Sequence, residues 1–371
     1  MFYLTLNESS SDLAFDAVTL KDYAKLQLSA DNRQKTLNIR KVHGDGTGLI
    51  RMQSNHKGTL ERYRYGNLTH SKLDINLELH NGGEFILSET VTVLGLAPTA
   101  LDLNGVLRGV INMVVGPSRH ARIGKDAQIV PFQATDMSTQ AKVTFGTLQL
   151  DPGSSVDYDP NTGAEMVVGE ISLKFASALR ADYVNFSCSN LDLELEAVLS
   201  SAAADRQSSD TIDVTVSSLS CTSGTTTCAG AGHGGQGGSG TGWSSTGSHY
   251  GSLYRPNRPG RKANPTGGGR GGGKMYLKVG STLINDGDIS VNGSASSYGG
   301  GSGGSILIET YFIDGYGTIS SVGGAGKGMG TKHATLPLVG GVFGKVGLFD
   351  LYLGLCIVIR LLLFSFNIVW I

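Results

Sequence analysis

Three glycine patterns in this 371-residue chain match signatures that hold phosphates or nucleophiles. Gly230-x-Gly232-x-x-Gly235 fits a dinucleotide fingerprint. That chemistry needs a helix directly after the third glycine, because the helix N-terminus holds the pyrophosphate. The residues that follow, GGSGTGWSSTGS, cannot form one. Gly268-x4-Gly273-Lys274 approaches a P-loop, but Met275 stands where a Ser or Thr must hold Mg²⁺. The next stretch, MYLKVGSTL, reads as a strand. Gly300-Gly301-Ser302-Gly303-Gly304 has the G-x-S-x-G form without the strand-turn-helix context of a nucleophile elbow. No catalytic residue and no cofactor is expected from any of the three.

Oxygen and nitrogen ligands are equally poor in pattern. Asp157, Asp159, Asn161 and Gly163 resemble the opening of a calcium loop. The glycine comes one place late, Pro160 stiffens the middle and no Glu stands at position twelve, so a turn is expected. Asp192, Glu194 and Glu196 alternate with leucines and are expected along one solvated strand face. His43, His56, His70, His80, His120, His233, His249 and His333 show no metal-ligand spacing, and no metal is expected. The four cysteines are Cys188, Cys221, Cys228 and Cys356. Cys221-x6-Cys228 is wrong for a zinc knuckle or a redox pair, and leaves a short disulfide loop and two free thiols as open alternatives.

Charge offers more. The formal net charge is −1, so no global field favours nucleic acid or an anionic membrane. Yet Val214 to Asn285 holds no acid, and contains Arg255, Arg258, Arg261, Lys262, Arg270, Lys274 and Lys278, with Trp243, Tyr250 and Tyr254 just before them. The first six are the candidate polyanion-binding residues, with acidic polysaccharide as the expected ligand. The bland reading is a charged loop inserted between two structural repeats. A single Arg270-Gly-Gly triplet fits an RNA-binding glycine-arginine tract poorly, and nucleic acid is not the expected partner. Asn67, Asn185 and Asn292 lie in N-glycosylation sequons at a frequency near chance, as does Asn7.

The elements that must position these residues are strands. Alternating apolar and polar residues mark Leu73–Leu79, Phe85–Val93, Leu101–Leu107, Val143–Leu150, Ile171–Phe175, Leu191–Leu195 and Ile212–Val216. Turn clusters such as HNGG, DPGSS and DPNTG separate them, and only Ala176–Arg180 suggests a short helix. Of the 54 glycines, 37 lie between Gly224 and Gly347. There, GGGKMYLKVGSTLINDGDISVNG (271–293) aligns with GGSILIETYFIDGYGTISSVGG (303–324) at an offset of 30 to 32 residues. Such a period marks a repeat architecture whose units bury their apolar faces by stacking. Glycine at its corners is expected to supply positive φ and to allow close backbone approach.

The run GAGHGGQGG, followed by GGGRGGGKMYLKV, INDGDISVNG and GGGSGGSILIET, resembles large glycine-rich surface and extracellular proteins with pectin-lyase-like parallel β-helix repeats. The specific resemblance covers residues 229–330. It implies a parallel β-helix and a wall, matrix or adhesive role without a known catalytic activity.

The expectation is therefore an all-β, right-handed parallel β-helix (β-solenoid). Coils of ordinary composition fill 1–223, and glycine-rich repeats with a basic loop at 250–274 fill 224–347. Residues 348–371, LFDLYLGLCIVIRLLLFSFNIVWI, form a hydrophobic tail with three readings: a membrane anchor, a removed GPI-type tail, or translated intron sequence. The N-terminal residues MFYLTLNESSSDLAF do not read as a signal peptide and begin as if within a strand. The leading function is a non-catalytic cell-surface or extracellular-matrix protein with acidic polysaccharide or matrix proteins as partners. The alternatives are a polysaccharide lyase or glycoside hydrolase on the same scaffold, and an RNA-associated glycine-rich protein.

Overall fold

A computed structural model of the chain describes residues 3–5, 12–28, 36–44, 48–52, 57–65, 68–69, 72–73, 76–79, 84–95, 99–103, 106–124, 127–130, 143–158, 163–202, 256–263, 268–296, 299–325, 335–337, 350–353 and 357–361. Among them there are strands and turns but no helix. The chain divides into two compact units, Met1–Leu179 and Arg180–Ile371.

In the first unit, successive strands alternate between two parallel sheets. Short strands such as Lys25–Leu28, Leu49–Met52, Asn76–Leu79, Thr99–Leu103, His120–Ile123 and Ser155–Tyr158 are neighbours in one sheet. Longer ones such as Thr36–Gly44, Lys57–Tyr65, Glu84–Gly95, Val106–Val115, Val143–Leu150 and Gly163–Leu173 build the other. Each return to a sheet adds one parallel rung. Because side chains alternate faces along a strand, the register stacks like on like. Leu26, Ile50, Leu77, Leu101, Ala121 and Val156 share one file, and Leu26, Ile50, Ala121 and Val156 are buried. The adjacent file in the register holds Gln27, Arg51, Glu78, Asp102, Arg122 and Asp157.

The second unit repeats the scheme. Tyr183–Leu193, Lys274–Asn285 and Ser305–Asp314 pair in parallel in one sheet, and Val198–Ser200, Asp288–Ser290 and Thr318–Ser320 in the other. Lys274 pairs with Ser305 and Asp288 with Thr318, within the 30 to 32 residue offset read from the sequence. Val184, Met275 and Ile306 form one buried file; Phe186, Leu277 and Ile308 form the next. Val198 pairs directly with Asp288 and Tyr183 with Lys274, so segments distant in sequence form adjoining rungs.

Turns between the sheets carry backbone strain at residues other than glycine. Ala24, Arg119, Ser154, Ser177 and Ala197 each donate a backbone hydrogen bond to the residue three before, at 2.9–3.1 Å. The third turn residue is left-handed in every case: Tyr23 (φ 60°), Ser118 (55°), Gly153 (70°), Ala176 (53°) and Glu196 (60°). Pro117 and Pro152 precede two of them, as a turn with left-handed third position favours. The expected helix at 176–180 is this turn followed by the strand Ala178–Arg180. Likewise, Leu191 and Leu193 close a strand, but Glu194 opens a turn and Leu195 is exposed. Asp192, Glu194 and Glu196 therefore do not share one strand face.

The glycines serve another purpose. Residues 256–263, 268–273, 291–296, 299–304 and 321–325 lie alongside one another, hydrogen bonded outside any strand. Donors three residues apart reach the same neighbour. Gly260 and Ala263 donate to Gly272 and Gly269; Gly269 and Gly272 donate to Gly299 and Ser302; Gly301 and Gly304 donate to Ser294 and Val291. A three-residue repeat without internal hydrogen bonds belongs to the polyproline II family, here packed as a polyglycine bundle. A Cβ on Gly272, Gly301 or Gly304 would overlap a neighbouring backbone carbonyl. Close approach, not positive φ, demands glycine at these positions.

Candidate functional site

The bundle positions the expected cations. The first and second of its segments run antiparallel, since Gly260 bonds Gly272 and Ala263 bonds Gly269. Arg258 is exposed, and its carbonyl accepts the Ser305 hydroxyl at 2.6 Å. Arg261 donates its backbone N–H to Ser302 Oγ (2.7 Å) and accepts the Ser302 N–H (3.1 Å). Arg270 repeats this exchange with Ser294, at 2.7 and 2.8 Å. Lys262 is half-buried on the same segment. Lys274 begins the strand that leaves the bundle, its ammonium 4.3 Å from the centroid of the Tyr183 ring. Five of the six cations thus gather on one backbone-tied body; Arg255 lies outside the described residues. Main-chain atoms of Arg261 and Arg270 join the bundle, Arg261 Nε is itself buried, and the Lys274 side chain meets Tyr183.

The same hydrogen bonds occupy backbone donors of the glycine signature at Gly268–Lys274. Gly269, Gly272 and Gly273 give their N–H groups to Gly299, Ser302 and Ser201 carbonyls, so the Gly268–Lys274 loop offers no nest of these donors to an anion. Ser302 is buried and its hydroxyl accepts from Arg261, which makes it a bundle strut and no nucleophile. Gly230, Gly232 and Gly235 lie outside the described residues.

Asp157 is on a strand and Gly163 opens the next, while Asp159 and Asn161 lie outside the described residues. His120 and Ser155 face each other across one rung, and His120 Nδ1 lies 2.9 Å from Ser155 Oγ and 3.4 Å from Asp157 Oδ2. A nucleophilic relay needs the hydroxyl and the carboxylate on opposite ring nitrogens. Here both meet Nδ1, so the trio is a polar ladder contact and no triad. Among the described residues, no three His, Cys, Asp or Glu side chains are grouped to hold a metal ion.

Of the sequons, Asn67 lies outside the described residues, and Asn185 sits half-buried on a strand opposite Tyr276. Asn292 is committed at both ends of its amide: Nδ2 donates to Ser320 Oγ (3.1 Å) and Oδ1 accepts the Val322 N–H (2.7 Å). A glycan on Nδ2 would displace the first bond. Cys221 and Cys228 lie outside the described residues. Cys188 is a free, buried thiol whose pKa burial pushes up to about 12.

Tyr183, Tyr276 and Glu309 are the site residues that sequence patterning missed. Tyr276 donates to Glu309 Oε2 at 2.6 Å, one rung away. Tyr183 and Lys274 are neighbours only because the strand pairing skips the long intervening stretch. No local pattern carries that information. No protein-family model matches the chain, and comparison with curated proteins and with solved structures found no match.

Proposed function

We propose that the chain is a right-handed parallel β-helix acting as a non-catalytic structural or adhesive protein of the cell surface or extracellular matrix, and that it binds acidic polysaccharide through the cations of 256–274. The β-helix reading is supported by strands that alternate between two parallel sheets and return one rung further on. The observation that carries the ligand reading is the antiparallel pairing of 256–263 with 268–273, which fixes Arg258, Arg261, Lys262 and Arg270 on one body. Charges held on a pre-ordered backbone bind a polyanion without the entropy cost of ordering a loop.

Titration calorimetry with polygalacturonate tests it. Affinity falls steeply between low and high salt, as screening requires. Arg258→Ala with Arg270→Ala removes two partly exposed contacts of about 0.5–1 kcal/mol each, a loss of roughly five- to thirtyfold. The main-chain bonds at both positions survive the substitutions, and a melting curve run beside the titration separates lost folding from lost binding. Salt-independent binding, or none, defeats the ligand reading. Release of unsaturated uronate during the titration would favour a lyase instead.

A further inference from the structure

We propose that the polyanion site extends from the bundle onto the adjoining sheet face, and that its ligand is a carboxylated glycan seated on the ring of Tyr276. This rests on the polysaccharide reading above.

On this sheet Val184, Phe186, Met275, Leu277 and Val279 are buried, so Tyr183, Lys274, Tyr276 and Lys278 take the opposite, outward face. Tyr276 pairs in register with Leu307, yet its hydroxyl reaches Glu309, two residues further along that neighbouring strand. The two side chains close that distance between them, so the ring is held by its hydroxyl. The result is a tethered aromatic platform, the kind of surface that receives the C–H face of a sugar. Lys274 flanks it on the same strand, held over Tyr183, and Lys278 flanks it on the other side, exposed. Arg258 borders the same face, since its carbonyl takes the hydroxyl of Ser305, the register partner of Lys274.

Cations beside a ring would also suit single-stranded nucleic acid. A nucleic-acid strand stacks successive bases on successive rings, and the Tyr183 ring beside Tyr276 already carries the Lys274 ammonium. The ionised Glu309 carboxylate at the platform edge only accepts hydrogen bonds. A glycan presents hydroxyl donors to it, and carboxylates to Arg258, Lys274 and Lys278. A polyphosphate chain presents acceptors alone, so it has nothing to donate to Glu309, which stands in register between Lys278 and Arg360. Tyr276 is thus a binding residue. Tyr183 is a positioning residue that holds the Lys274 ammonium at the site margin.

The test compares polygalacturonate, inorganic polyphosphate and oligouridylate on the full chain. Tyr276→Ala weakens polygalacturonate about tenfold and leaves polyphosphate within twofold. Tyr276→Phe, which keeps the ring, stays within about threefold of the parent protein. Tyr183→Ala weakens both polygalacturonate and polyphosphate, and Tyr183→Phe restores them. Glu309→Gln raises polyphosphate binding while polygalacturonate does not gain. Equal losses for all ligands on Tyr276→Ala, or no loss for any, overturn the platform. So does oligouridylate binding as tight as polygalacturonate with the same dependence on Tyr276. If the parent protein binds none of the three, the underlying polysaccharide reading has failed instead. Circular dichroism melts of each variant separate lost folding from lost binding.

Discussion

Gly304 and Gly280 show how differently two glycines of one chain are used. Gly304 lies in the bundle, where an added Cβ would enter the carbonyl of Gly273. Gly280 lies at the register shift of the strand Lys274–Asn285, and its Cβ would meet Cys188 O at 3.5 Å, an ordinary contact. Gly304→Ala is therefore expected to destabilise by about 3 kcal/mol, the upper range for overpacking. Gly280→Ala is expected to be neutral or to stabilise by about 0.5 kcal/mol, through lower unfolded-chain entropy. Urea midpoints of the two variants check this, and a similar loss in both would remove the close-packing argument. Cys188 supplies a second prediction at this scale. Its thiol stays protonated in the folded chain well above the ordinary value of 9.0. Between pH 9.0 and about 12 the unfolded chain binds fewer protons at this group than the folded one does. Its contribution is thus complete below pH 9.0 and is lost as pH rises towards about 12. Peptide mapping after alkylation of the native protein at pH 8 should find Cys188 unmodified, and modified once urea is added.

The turns between sheets set the stagger of the rungs. They stack as the strands do: Ser118 N donates to Pro152 O and Gly153 N to Phe175 O, both at 3.0 Å. An L-residue in the left-handed region costs roughly 1–2 kcal/mol, and Ala176 stands there at φ 53°. Ala176→Gly is expected to raise stability by up to about 1 kcal/mol, since glycine removes the strain but loses more chain entropy. Ala176→Val should lower it by about 1–2 kcal/mol, because a β-branched residue fits positive φ worst. A pair of thermal melts decides; a Val variant as stable as the Gly one would contradict the strain. These turns also mark how far the sequence was legible. Period-two runs such as Val143–Leu150 and the paired repeats 271–293 and 303–324 betrayed strands and their spacing, because burial of alternate residues leaves a local trace. The turn at Ala176 left none, since alanine carries no preference for positive φ. Leu191–Glu196 misled for the opposite reason: alternation continued past Leu193, where tertiary stacking had already turned the chain. The cationic cluster was visible as composition. The pairing of Lys274 with Tyr183, and of Tyr276 with Glu309, depends on register between distant segments, and no window of sequence contains it.

A stack of parallel rungs keeps one unavoidable weakness, an open strand at its end, and in the second unit the apolar C-terminal segment meets that need. Ile357–Leu361 pairs in parallel with Ser305–Asp314, and Asp350–Leu353 pairs back on it antiparallel. The register sets Arg360 between Glu309 on one side and Asp350 on the other. Alternating charge across three strands favours this register over a slip by one residue, which would exchange the faces of the whole strand. Among the described residues no helix is long and apolar enough to cross a bilayer, and these two strands are what the segment contributes there. Removing 348–371 would leave Ile306–Thr310 with unpaired N–H and carbonyl groups along an open strand edge, a template for association. The truncated chain should self-associate with rising concentration in sedimentation velocity and bind thioflavin T, while the full chain does neither. Arg360→Glu in the full chain places three like charges in line across Glu309 and Asp350. It should loosen the strand, and hydrogen exchange should quicken at Ile306–Thr310 while the bundle glycines stay protected. Unchanged exchange at Ile306–Thr310 in both variants would mean that the segment does not cover this edge in solution.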